Sequence, residues 1–125
     1  MLKILKKDQL LAGLSGEELK KRNQLLDIAE QVLNEINPER LVCEALRNFD
    51  VENYENIYVV GSGKGTAAMA KATEAVLGDR ITGGVITVPE GATPNLSRVE
   101  AIHATHPLPN EAGVSGSERI LEMAR

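Results

Sequence analysis

Apolar residues recur at helical spacing through the first third of the chain and then give way to short β-branched runs separated by glycine and proline. Leu2, Ile4, Leu5, Leu10, Leu11 and Leu14 mark residues 1–14 as a short packing arm or a frayed tail. Ser15 and Glu18 have the spacing of a capping box, which predicts a helix start. Leu25, Ile28, Ala29, Val32, Leu33 and Ile36 then form the stripe of a helix packed on a core. Asn37-Pro38 closes that helix and opens another, because Asn caps well and Pro suits the first helical position. Leu41, Val42, Ala45 and Leu46 predict its buried face, and the polar stretch 48–56 is a loop.

Ile57–Val60 is β-branched and aromatic and predicts a buried strand. Gly61, Gly63 and Gly65 interrupt it, and the alanine-rich segment from Thr66 to Leu77 has helical spacing, with Gly78 placed to end it. Gly83–Val88 and Val99–His103 predict two more strands. The segment between them holds Gly91, Pro94 and Asn95, has no helical pattern, and is short for a parallel crossover, so the order and direction of the third strand stay open. After it, 104–110 is a loop stiffened by Pro107 and Pro109, and Asn110 caps a helix beginning near Glu111. Helices interleaved with strands give an α/β class.

Strand, glycine turn and helix is the unit that sets a helix N-terminus against an anion. Gly61, Ser62, Gly63, Gly65 and Thr66 let the backbone approach a phosphate, and Lys64 adds a full positive charge. Two stricter motifs fail. A Walker loop ending at Gly63-Lys64 requires Gly where Tyr58 stands and Ser or Thr where Gly65 stands. A dinucleotide fingerprint requires Gly where Thr66 stands, and no acidic residue closes a clean second strand to hold a ribose. The spacing alone is equally compatible with a tight packing turn and a solvated lysine. If the strands run parallel, the turn at 62–66 and the loop at 105–111 share the carboxyl edge, where open α/β sheets bind ligands. His106, held between rigid neighbours, is the candidate to hydrogen-bond a substrate or phosphate. His103 and His106 lack a third ligand of the right kind, so no metal site is expected from them. Glu90 reads as a solvated loop charge.

Composition narrows the partners. The chain has 125 residues, is 42% hydrophobic with two Tyr and one Phe, and carries a net charge of −4, which predicts one domain with an aliphatic core. Its one basic cluster, Lys20-Lys21-Arg22, is too small for a nucleic-acid partner. A lone cysteine, Cys43, excludes an internal disulfide, reads as buried, and fits a reducing, cytoplasmic setting. Lys3, Lys6, Lys7 and Asp8 interrupt the start, so neither a leader nor a membrane span is predicted. The apolar pattern of Ile120, Leu121 and Ala124 has no stop signal before Arg125, which reads as a fragment of a longer protein.

Residues 59–70 (Val-Val-Gly-Ser-Gly-Lys-Gly-Thr-Ala-Ala-Met-Ala), 77–88 and 103–114 (His-Ala-Thr-His-Pro-Leu-Pro-Asn-Glu-Ala-Gly-Val) together resemble the amino-terminal domain of glycerate 2-kinases of the MOFRL type. The resemblance runs from about Leu25 onward, and its specificity lies in the pairing of Gly-x-Gly-Lys with His-Pro-x-Pro. It implies a Rossmann-like layered domain with a mostly parallel sheet flanked by helices, and ATP-dependent phosphoryl transfer to the 2-hydroxyl of D-glycerate with Mg²⁺, in a cleft against a second domain. D-glycerate and a nucleotide are the implied partners, and a homodimer is compatible with them. Lys64 matches the family's lysine thought to be catalytic, and His106 matches its His-Pro-x-Pro loop. Gly65 stands where Ala is more frequent and Asn110 where Asp is common. The second domain and its catalytic arginine lie outside these residues, which implies that this chain alone is inactive. The rival reading is a sugar-phosphate-binding module of the isomerase type, which has no use for the His106 loop. A nicotinamide oxidoreductase ranks third.

Overall fold

Three short strands pair into one sheet whose middle strand is buried, whereas the strand expected to be buried at Ile57–Val60 has Tyr58 and Val60 exposed. The computed structural model describes residues 3–125. The chain divides into two compact units, Met1–Asn37 and Pro38–Arg125.

The first unit is a helical pair, α1 (Lys7–Leu11) and α2 (Gly16–Glu35). The segment before α2 is a packing arm held by polar contacts. The Ile4 amide donates to Glu30 Oε1 at 2.8 Å, and Lys7 pairs with Asp27. Of its apolar residues Leu5 and Leu10 are exposed and Ile4, Leu11 and Leu14 half-buried; Leu2 lies outside the described residues. Two sequence expectations are corrected. Ser15 occupies the N-cap position of α2, but its side chain makes no capping hydrogen bond. The stripe on α2 is not packed on a core: Leu25, Ile28 and Ile36 are 66%, 55% and 58% exposed.

The second unit carries the sheet. Helix α3 (Pro38–Arg47) begins at the expected proline. Its inner face is half-buried Val42, Cys43 and Leu46, whereas Leu41 and Ala45 are exposed, so the predicted buried face is rotated and Cys43 is only partly covered. The strands are β1 (Tyr58–Ser62), β2 (Gly83–Pro89) and β3 (Val99–Ala104), in the order β1-β2-β3 and all parallel. Helix α4 (Thr66–Leu77) follows β1, and Gly78, with φ +49°, ends it in a short 3₁₀ turn. Helix α5 (Glu111–Met123) follows β3, with Asn110 Oδ1 accepting from the Gly113 amide at 3.0 Å.

The two helices cover opposite faces. Thr66 of α4 lies over Gly61 and Ile86, while Gly116 of α5 lies against Thr87 and Ile102. Ile86 and Thr87 are neighbours on β2 and therefore point to opposite sides. The core is Ala70, Ile86, Val88 and Val99, on the α4 face, with β2 buried along nearly its whole length.

The third strand settles as parallel although no helix precedes it. Its six residues cover about 20 Å, and the extended connection 90–98 reaches about 30 Å, which suffices for the return. Ala92 and Leu96 pack the connection onto the α4 face of the core. The carboxylate of Glu74, on α4, accepts from the amides of Ser97 (2.8 Å), Arg98 (2.7 Å) and Val99 (2.9 Å). These are the backbone donors that a crossover helix would have satisfied internally. Burial pushes the Glu74 carboxyl up, but the three amides and the Arg98 charge together hold it below the usual carboxylate range.

Candidate functional site

With every strand parallel, the β1–α4 turn and the loop after β3 meet at one carboxyl edge. The turn is shaped by Gly63, whose φ of +115° is open to glycine and strained for other residues. Two of its amides are committed internally: Gly63 donates to Thr87 O and Thr66 to Gly63 O, each at 3.3 Å. No side chain caps α4. The donors that the turn offers a ligand are therefore the amides of Lys64 and Gly65 rather than the whole run from Gly63 to Thr66. An anion there also meets the positive end of the α4 dipole.

Lys64 is exposed and pairs with no carboxylate among the described residues. It lines a cavity of about 90 Å³ together with Ser62, Gly63, Thr87, Thr105 and His106. His106 is presented by a loop in which the His106–Pro107 bond is cis and Thr105 Oγ1 donates to Leu108 O at 2.5 Å. The structure thus brings Ser62, Gly63, Lys64 and His106 to one cavity. Gly61, Gly65 and Thr66 do not line it. Thr66 is buried beneath the turn, where its Cγ2 would stand 2.7 Å from a Cβ built on Gly61. Gly65 faces Met69 and Pro38. Gly61 and Thr66 thus pack the turn against the sheet. His103 is exposed on β3 and Glu90 in its loop, and neither lines the cavity.

Thr87 is the residue that sequence reasoning passed over. It is buried on β2, and its Oγ1 donates to Ser62 Oγ at 2.7 Å. The available signal was a hydroxyl in the middle of the apolar run Val85-Ile86-Thr87-Val88. No carboxylate lines the cavity, and no cluster of three His, Cys, Asp or Glu able to hold a metal occurs among the described residues. The wall is cationic and hydroxyl-bearing, a chemistry able to receive a small anion. The volume is far below the ~300–1,000 Å³ of pockets that enclose larger organic ligands.

Comparison with known proteins gives this geometry a family. The family described as a domain of unknown function, DUF4147, matches residues 24–125. A D-glycerate 2-kinase of Thermotoga maritima is 32% identical over 108 residues, covering 86% of this chain and 25% of the relative. An Agrobacterium vitis protein provisionally named a hydroxypyruvate reductase is 37% identical over 62 residues, covering 50% of this chain and 14% of the relative. The crystal structure of a glycerate kinase from Thermotoga maritima superposes with a TM-score of 0.70 at 32% identity, covering 86% of this chain and 25% of that one. This chain spans about a quarter or less of the relatives it matches. The α/β fold and the resemblance to glycerate 2-kinases expected from the sequence are both borne out. With the match running from residue 24 to the last residue, the chain belongs to the DUF4147 family.

Proposed function

We propose that this chain supplies the phosphate-handling half of an active site that transfers the γ-phosphoryl group of ATP to the 2-hydroxyl of D-glycerate, giving 2-phosphoglycerate. The observation that carries the reading is the convergence of Lys64 and His106 on one small cavity at the carboxyl edge. Phosphoryl transfer asks a protein for positioning and charge neutralisation more than for covalent chemistry. Lys64 and the free amides of the turn provide both, holding the transferred phosphoryl group or the glycerate carboxylate. His106 hydrogen-bonds the acceptor acid, and the Thr87–Ser62 hydroxyl pair fixes the cavity floor.

The cavity takes the acceptor or a phosphoryl group and leaves the nucleoside of ATP outside it. Mg²⁺, which the glycerate-kinase resemblance brings with ATP, finds no carboxylate on this wall. The residues of this wall therefore do not fit a metal cage. The chain without the remainder of such an enzyme is expected to be inactive. A cytoplasmic setting accords with this chemistry; among the described residues no helix is long and apolar enough to cross a membrane.

The second reading is reduction of hydroxypyruvate with a nicotinamide cofactor, favoured by the name of the Agrobacterium relative. The buried Thr66 in the place of the third fingerprint glycine weighs against it. The polypeptide from the whole reading frame, given D-glycerate and ATP, is expected to form 2-phosphoglycerate, read by ³¹P NMR. NADH oxidation with hydroxypyruvate, and no phosphoglycerate, would replace the kinase reading with the reductase.

A further inference from the structure

Thr87 is the one polar side chain in the buried stretch of β2, and each part of the residue has a different neighbour. Its carbonyl accepts from the Gly63 amide, which ties the turn to the sheet. Its methyl lies against α5, where a Cβ built on Gly116 would overlap Thr87 Cγ2. Its hydroxyl reaches Ser62 Oγ at 2.7 Å, and the two residues are cross-strand partners in the β1–β2 register. The packing uses the methyl and the turn uses the carbonyl. Neither calls for a hydroxyl, since Val has the same branched shape.

The direction of the hydroxyl pair follows from burial. Both oxygens can donate or accept. Thr87 is only 6% exposed, and Ser62 Oγ is the one recorded partner of its hydroxyl among the described residues. Were Ser62 the donor, the buried Thr87 proton would be left without an acceptor. A buried donor without a partner costs more than an ordinary hydrogen bond gains. Thr87 therefore donates and Ser62 accepts. Ser62 is exposed and lines the cavity, so its own proton is free to turn there. A hydroxyl that accepts one hydrogen bond is also a stronger donor of the next.

We infer that Thr87 is a positioning residue: it turns Ser62 into a fixed hydrogen-bond donor for an oxyanion in the cavity, beside Lys64 and the Lys64 and Gly65 amides. The inference rests on the reading of this cavity as an oxyanion site. It adds the ligand class that Ser62 selects: a group whose oxygens accept, such as a phosphoryl group or a carboxylate. The Ser62 proton is aimed before the ligand arrives, and a donor set in place costs no reorientation on binding. Thr87 acts through Ser62, so the effect belongs to its hydroxyl and not to its methyl.

Inorganic phosphate is the probe, titrated into the isotope-labelled polypeptide from the whole reading frame, with affinity read from the Lys64 and Gly65 amide shifts. Ser62→Ala and Thr87→Val are each expected to weaken phosphate binding about tenfold. The double variant should lose no more than about twofold beyond either one, because the two hydroxyls act as a single donor. Thr87→Ser keeps the hydroxyl and drops the methyl; it should bind within about twofold of the parent while its urea midpoint falls. A merely structural Thr87 predicts the reverse order, with Thr87→Val at parental affinity and Thr87→Ser weakened. That order overturns the inference. So do parental affinity in Ser62→Ala, a loss of about 100-fold in the double variant, or no phosphate shift at the two amides. Ser62 is exposed, so Ser62→Ala decides the matter if a Thr87 variant does not fold. Turnover of D-glycerate with ATP is scored separately in the parent. Its absence with the phosphate order intact removes the kinase reading and leaves the role of Thr87 standing; turnover without that order removes the role of Thr87 and leaves the kinase.

Discussion

Glu74 replaces a helix. Its carboxylate gathers three consecutive amides at 2.7–2.9 Å and lets a bare connection return the chain for a parallel third strand. Charge-assisted hydrogen bonds contribute about 1.5–3 kcal/mol each when the donor is stranded without them. The connection lies at the surface, where water reaches part of the lost donors, so the loss in Glu74→Ala is about 3 kcal/mol rather than the sum of three such bonds. Glu74→Gln keeps one acceptor oxygen and loses the charge, and should cost about 1.5 kcal/mol. Urea unfolding followed by circular dichroism at pH 7 reads both values. The pH dependence separates charge from shape. The folded-state pKa of Glu74 lies below its unfolded value, so its contribution is present above the ordinary carboxylate range and is lost as the pH falls through the lowered folded value. The gap between the parent chain and Glu74→Gln should therefore narrow between pH 7 and pH 3. Equal stability at pH 7, or a gap that keeps its size down to pH 3, would refute the reasoning.

Other substitutions probe the parts that frame the site. A Cβ at Gly84 would stand 2.5 Å from the Val59 carbonyl oxygen, which backbone cannot yield, so Gly84→Ala should lower stability by about 2–3 kcal/mol in the same urea titration. Asn110→Ala removes the α5 cap and should cost about 1 kcal/mol. Thr87→Val keeps the shape of the cavity floor but frees the Ser62 hydroxyl; in the polypeptide from the whole reading frame kcat with D-glycerate should fall about tenfold, while the unfolding free energy of the chain changes by no more than about 1 kcal/mol.

The elements with local causes were legible in the sequence. The span of α4 followed from its alanine-rich spacing between Gly65 and Gly78, and the start of α3 from Pro38. The meeting of the Lys64 turn with the His106 loop followed from strand ends once the strands were parallel. What stayed hidden depends on contacts between residues far apart in the chain. Nothing near residue 98 announces that Glu74 will hold it, so the direction of β3 was open. The stripe on α2 has a helix's period, but periodicity states which residues share a face and not what covers them, and Leu25 and Ile28 stand exposed. Likewise the glycines of the turn marked a close approach without saying to what. Gly61 approaches Thr66, inside the fold, whereas Lys64 faces the cavity.

The central claim is that the charge of Lys64 at the carboxyl edge neutralises a developing or incoming oxyanion. Its most direct test is the turnover of Lys64→Ala in the polypeptide from the whole reading frame, with saturating D-glycerate and ATP. An unchanged circular dichroism spectrum with kcat reduced about a hundredfold, equivalent to about 2.7 kcal/mol of lost transition-state stabilisation, is the expected result. Turnover within about twofold of the parent enzyme would contradict the claim and remove Lys64 from the mechanism.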